Sequence, residues 1–279
     1  MPIINPDYDT EVYNCEYSNI NQLPYMPNLR ELYCSGSNIK YLYSMPYLEI
    51  LDCSNTDIEE LPYLPGLVEL NCSNSKVSKS QHFPNLKVLN CAGSHIKNIS
   101  SIDTLQILDC SKTEITEIPY MNRLTELYCV DSNVRIISNM PNLKKLNCSY
   151  SEIRELPYFI NLEILDCSNT PISKLSFPKL TILYCENTNI TKLSDLPNLK
   201  KLYCNGIRSL TNIPSSIYIN TDDEYYYIED TNVPQYEVIN NHLVETKQGE
   251  MYNLLRNNDH IISSREFKDP FSILKEMLY

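Results

Sequence analysis

The eleven cysteines of this chain lie at 15, 34, 53, 72, 91, 110, 129, 148, 167, 185 and 204, so that nine successive gaps are 19 residues and one is 18. A fixed period near 20 is the mark of a stacked repeat, in which a single unit cannot bury its own apolar side and is covered by its neighbours. Other columns keep the same phase. Leu stands two residues before Cys in ten of eleven units (Leu32, Leu89, Leu146) and five before it in ten (Leu29, Leu86, Leu143). Ile or Val stands five after it in the first ten units (Ile39, Val77, Ile153), and Leu or Ile usually stands eight after (Leu61, Leu156). Eight before, from the second unit on, is Met, Leu, Phe or Ile (Met26, Phe83, Phe177).

A unit therefore reads LKKLNCSYSEIRELP and closes through a Pro-rich return such as YLPG or NMPN. From the second Leu to Cys the positions alternate inward and outward with period two, which predicts a short strand. The remainder is too short for a strand plus a full helix. About three strand residues per turn are expected, followed by an extended or 3₁₀ return. Eleven such strands at ~4.8 Å make one parallel sheet roughly 50 Å long. The 18-residue unit, SNTPISKLSFPKL, loses its residue in the return, where a deletion is cheapest.

Over about residues 10–219 this pattern resembles the leucine-rich repeat, LxxLxLxxNxL. The resemblance implies an α/β-type solenoid, a curved rod with a parallel β-sheet on the concave face and the returns on the convex side. The short LPxLPxxL return is similar to those of bacterial effector proteins and of giant-virus proteins. Two departures stand out. Cys replaces the third Leu throughout, and Ser or Thr (Ser37, Thr56, Ser75, Thr113, Thr170) replaces the inward Asn that ties successive turns together. The chain divides accordingly into an N-terminal cap at 1–13, the repeat array at 14–219 and a C-terminal cap or appendage at 220–279. The array ends in a degenerate turn whose strand carries Ile217 and Ile219, without Cys. In the last segment, Asp269 and Pro270 form a helix start, with Phe271, Leu274, Met277 and Leu278 on one face. A weaker pattern runs through Met251, Leu254 and Leu255, so a small, partly helical cap is expected.

Each thiol reads as a small buried filler. Equivalent positions on adjacent parallel strands lie about 4.8 Å apart, whereas the Cβ atoms of a disulfide want ~3.8 Å, so no disulfides are expected. A straight row does not converge on a metal either. Buried reduced thiols favour a reducing compartment. There is no signal peptide and no run approaching the ~18 apolar residues of a membrane span. An intracellular, cytoplasmic location follows, in the host cytoplasm if the protein is viral. The net charge of −12 argues against nucleic acid and anionic membranes, which need basic surface.

The residue just before each Cys projects onto the concave face as a ladder: Asn14, Tyr33, Asp52, Asn71, Asn90, Asp109, Tyr128, Asn147, Asp166, Tyr184 and Tyr203. From Tyr33 onward these are the candidate partner-binding residues, because Tyr supplies contact area at little rotamer cost. The three aspartates lie 57 residues apart in matching contexts (LEILDCSNT, LQILDCSKT), a spacing that three-repeat duplication explains. Three strands separate them by about 14 Å, too far for a pair of glycosidase carboxylates. The row three before Cys, which includes Ile50, Val88, Ile107 and Ile164, flanks the ladder with apolar side chains.

No catalytic signature appears. His82, His95, His242 and His260 show no ligand spacing, and there is no P-loop, GxSxG or dinucleotide fingerprint. Residues beyond 219 contain no cysteine, which excludes the catalytic-cysteine chemistry of effector ubiquitin ligases. The chain reads as a non-catalytic, cofactor-free scaffold for a protein partner. The alternatives are an adaptor that recruits a second partner, for example ubiquitin or signalling machinery, through its C-terminal segment, and a structural particle protein. The acidic, aromatic stretch DDEYYYIED at 222–230 reads as part of the cap.

Overall fold

The computed structural model describes residues 9–79, 83–207, 209–214 and 217–220, and the backbone of two strands at 236–239 and 242–245. The expected C-terminal helix, the 222–230 stretch, His82, His260 and most of the N-terminal cap lie outside the described residues. The chain forms two units, Met1–Leu143 and Lys144–Tyr279.

The first unit contains β1 (Val12–Asn14), β2 (Glu31–Tyr33), β3 (Ile50–Asp52), β4 (Glu69–Asn71), β5 (Val88–Asn90), β6 (Ile107–Asp109), β7 (Glu117–Ile118), β8 (Glu126–Tyr128) and β9 (Ile136–Ile137). All but β7 and β9 pair in parallel and in chain order, with Leu32 opposite Leu51 and Leu51 opposite Leu70. The register is one repeat per strand because a slip by one residue would turn the inward Leu to solvent.

The second unit contains β10 (Lys145–Asn147), β11 (Ile164–Asp166), β12 (Ile182–Cys185), β13 (Lys192–Ser194), β14 (Lys201–Cys204), β15 (Ser209–Thr211), β16 (Tyr218–Asn220), β17 (Tyr236–Ile239) and β18 (His242–Glu245). Its sheet runs β10-β11-β12-β14-β16-β18-β17, parallel as far as β16. Across the 18-residue unit Leu165 still faces Leu183, so the return absorbs the deletion. β16 carries Ile219 opposite Leu202 and is the Cys-less last parallel strand. β18 then pairs with it antiparallel through Tyr218 and His242, and β17 closes a hairpin on β18.

Two local devices build every turn. Before the strand, the N–H of the Leu five before Cys bonds back to the carbonyl three residues earlier, as in Leu29 to Met26 and Leu48 to Met45. Pro follows that carbonyl residue in many units (Pro27, Pro46, Pro65, Pro84), and its locked φ prepares the turn. After the strand, the residue two past Cys is left-handed in all eleven repeats: Tyr17, Gly36, Asn55, Asn74, Gly93, Lys112, Asp131, Tyr150, Asn169, Asn187 and Gly206, with φ between 51° and 71°. Asn and Gly dominate because they tolerate this region at least cost.

The Ser or Thr three past Cys works within its own turn. Thr56, Ser75, Thr113, Ser132, Ser151 and Thr170 each donate their hydroxyl at 2.6 Å to the carbonyl of the Cys three residues earlier. Successive turns are tied by backbone instead: Asn55 N–H donates to Ser73 O and Asn74 N–H to Ala92 O, at 2.8 and 2.7 Å.

The core is the stacked columns. Leu32, Leu51, Leu108, Leu127, Ile58, Met45 and Leu64 are fully buried, as are Leu165, Leu183, Phe159 and Ile172 in the second unit. Each such side chain contributes about 1.5–3 kcal/mol of burial. The returns are extended, and no helical or 3₁₀ turn occurs among the described residues. Short parallel pairs join some neighbouring returns, β7 with β9 and β13 with β15, which the repeat pattern did not announce.

Candidate partner-binding face of the sheet

All eleven thiols are free and buried, in line with the inward columns. Burial pushes the Cys15 thiol up to about 11 and Cys72 to about 12, and raises Cys53, Cys91, Cys110, Cys129 and Cys167 as well. The sulfurs are also weak donors. Cys91 Sγ lies 3.4 Å from Asp109 O and Cys167 Sγ 3.4 Å from Tyr184 O, each a carbonyl of the following strand. Cys thus fills the space of a small apolar residue and adds a link to the next turn. Enclosed in apolar surroundings, the raised thiols have little nucleophilic character.

The side chains just before Cys divide into two kinds. In the first, the side-chain oxygen accepts the N–H two residues on: Asn14 from Glu16, Asp52 from Ser54, Asn71 from Ser73, Asn90 from Ala92, Asp109 from Ser111, Asn147 from Ser149 and Asp166 from Ser168, all at 2.9–3.1 Å. These Asx turns carry the chain from the strand into its left-handed corner. Where Ser sits at the acceptor's turn, its hydroxyl often joins in, as Ser73 Oγ to Asn71 Oδ1 at 2.8 Å. One oxygen of each group is thereby used by the fold, and the remaining polar atoms lie along the ladder. Asn71 Nδ2, for example, donates to Asp52 Oδ2 at 3.1 Å. Asn71, Asn90 and Asn147 are each only 9% exposed, so the row is more enclosed than a free-standing ladder.

The second kind is tyrosine. Tyr33 and Tyr128 turn along their own strands, each hydroxyl donating to a glutamate two residues earlier, Glu31 at 2.9 Å and Glu126 at 2.7 Å. In the second unit Tyr184 and Tyr203 stack face to face, ring centroids 4.4 Å apart and planes 10° from parallel. Tyr218 of the Cys-less strand continues the row, its ring 6.0 Å from that of Tyr203. Tyr218 was not singled out in the sequence because its repeat lacks the cysteine that sets the phase.

The flanking row three before Cys is half-buried over most of its length. Val88 is buried outright, and Glu69 is held above the usual carboxylate range by burial and by the charge of Glu31. Asp166 is likewise raised by burial, which outweighs its bonds to Ser168. No group of three or more metal-ligating side chains converges among the described residues, and no helix there is long and apolar enough to cross a membrane.

No family model matches the sequence, and no curated protein matches it. Solved structures match the fold. One is YopM from Yersinia enterocolitica, with TM-score 0.68 and 22% identity over 75% of this chain and 51% of that one. A second is the functional domain of InlJ from Listeria monocytogenes, which includes a cysteine ladder, with TM-score 0.62 and 24% identity over 74% of this chain and 53% of that one. A third is YopM from Yersinia pestis, a leucine-rich effector protein, with TM-score 0.54 and 18% identity over 77% of each chain. The chain spans about half the length of the first two. The fold is the leucine-rich-repeat solenoid, of about eleven turns.

Proposed function

We propose that this leucine-rich-repeat solenoid is a non-catalytic scaffold that binds a protein partner through the open face of its sheet. The contact row is Tyr33, Asp52, Asn71, Asn90, Asp109, Tyr128, Asn147, Asp166, Tyr184 and Tyr203. The observation that carries the reading is the stack of Tyr184 on Tyr203, continued by Tyr218. Such rings are already ordered before a partner arrives, so binding them loses little rotamer entropy. The Asx turns act in the same direction, because Asp52, Asp109 and Asp166 are held in place by backbone N–H groups. Tyr203 is only 6% exposed between its neighbours, as is Tyr128 in the first unit, so the aromatic surface on offer in the second unit is that of the half-buried Tyr184 and Tyr218, beside polar groups fixed by the turns in both units.

Affinity purification of the full chain from its native cell identifies the partner, and a direct binding assay with that partner tests the face. Tyr184→Ala and Tyr128→Ala weaken binding while circular dichroism stays unchanged. A partner whose affinity is the same after alanine replacement of all four ladder tyrosines would remove the sheet face from the interface.

A further inference from the structure

A second surface lies away from the strand face, where the returns enter the strands of the first unit. A groove with a volume of about 520 Å³ runs there along the stack, from Arg30 of the second repeat to Arg123 of the seventh. Its middle is lined by a glycine. The column six before Cys holds Tyr47, Asn85, Thr104 and Arg123 in neighbouring repeats, but Gly66 in the fourth. A Cβ on Gly66 would come within 3.0 Å of Leu48 O and 3.1 Å of Pro46 O, so the backbone here is packed against the preceding return. The exposed Tyr47 also lines the groove.

The charges of the groove are unequal along its length. At one end Arg30 and Glu49 neutralise each other in an ion pair. At the other, Lys87 and Arg123 are exposed and form no ion pair among the described residues. Lys87 is close enough to Glu69 to oppose, through space, the rise that burial and Glu31 impose on that carboxyl. With Arg30, Lys87 and Arg123 against the single carboxylate of Glu49, the lining of the groove is net positive in a chain whose net charge is −12.

We infer that this groove binds an extended acidic peptide of a partner protein. Five repeat steps at ~4.8 Å span about 24 Å, the length of roughly seven extended residues. Lys87 and Arg123 are two steps apart, about 10 Å, which matches carboxylates three residues apart on a peptide in the polyproline II form of extended chain, where every third side chain shares a face at a rise of about 3.1 Å per residue. The Arg123 guanidinium can take one carboxylate through paired N–H donors, the Lys87 ammonium the other as a point charge, and Tyr47, two repeats before Lys87, offers a ring to the rest of the peptide. The site is independent of the tyrosine ladder.

The test uses the full chain and a fluorescent, end-capped heptapeptide of Gly with two Glu three residues apart, followed by anisotropy to millimolar protein at low salt. The Glu peptide binds, the matching Gln peptide binds at least about tenfold more weakly, and added salt erodes the difference. Lys87→Glu with Arg123→Glu abolishes binding of the Glu peptide and creates binding of a Lys peptide, whereas Lys40→Glu with Lys112→Glu, the same charge change outside the groove, leaves the Glu peptide bound. Tyr184→Ala leaves it bound too, so failure here is distinct from failure of the strand-face reading. Equal binding of the Glu and Gln peptides, no binding at millimolar protein, equal loss in the two charge-reversal variants, or tighter binding of a single-stranded RNA of equal charge would each overturn the assignment.

Discussion

The backbone N–H of Ser54 donates to Oδ1 of Asp52 at 3.0 Å, and the Ser54 hydroxyl donates to the same oxygen at 2.7 Å. This pair bridges the end of β3 and the corner that follows it, so an acidic side chain on the sheet face is also part of the turn that positions it. The backbone N–H bond recurs wherever Asn or Asp precedes Cys, which means that composition of the ladder is constrained by folding as well as by any partner.

It follows that Asp52→Ala destabilises the chain by about 1 kcal/mol, the net worth of a turn-capping bond, whereas Asp52→Asn, which keeps the accepting oxygen, changes little. Urea unfolding of the two variants checks this. If the alanine variant matched the parent, the Asx turn would have no energetic role.

Asp166 gives a pH signature. Burial raises its folded-state pKa above the ordinary 3.8, so the charged form is disfavoured in the folded chain. The folded state then holds the proton more tightly than the unfolded one, and stability falls as pH rises through the window above 3.8. Asp166→Asn keeps the acceptor for Ser168 and removes the penalty. It therefore raises the melting temperature at pH 7, and the gain shrinks on acidification and vanishes below the ordinary carboxyl value. A gain that persisted unchanged in acid would point to another cause.

Lys112 occupies the left-handed corner at φ 55°, where most repeats place Asn or Gly. Lys112→Asn stabilises and Lys112→Val destabilises, each by about 1 kcal/mol, because a β-branched residue suffers most from the left-handed conformation. Thermal unfolding of both variants reads the sign directly.

Cys110 is fully buried between Cys91 and Cys129, with its sulfur 3.5 Å from Tyr128 O. Cys110→Leu overpacks the column and costs about 1–3 kcal/mol, although Leu is the residue of the LxxLxLxxNxL pattern at this position. Iodoacetamide at pH 8 labels the folded chain slowly and the unfolded chain fast, as measured by intact mass. Rapid labelling of the native protein would contradict the neutral, enclosed thiols.

The strands were legible because their signal is carried by the columns. Leu at two and five before Cys, with Cys itself, leaves one way to bury the apolar side, and the observed registers follow it even across the shortened repeat at Leu165 and Leu183. The candidate ladder was legible in position, since period-two alternation places Asp52 and Tyr184 on the open face. Its internal bonding was not. An Asp before Cys has the same spelling whether its oxygens are free or accept Ser54 N–H, and only the path of the backbone through the corner decides. The return strands β7, β9, β13 and β15 were likewise unannounced, because their pairing depends on how closely neighbouring returns approach.

Sequence alone determined the repeat, the inward file of Leu, Ile and Cys, and the face on which Tyr and Asp stand, because periodic burial is a one-dimensional property that a chain writes along its length. Tertiary structure alone decided which side-chain oxygens the turns consume, which rings stack, and that a groove runs past Gly66 from Arg30 to Arg123. Those outcomes join residues from different repeats, and the distances between them are set by stacking rather than by spacing along the chain.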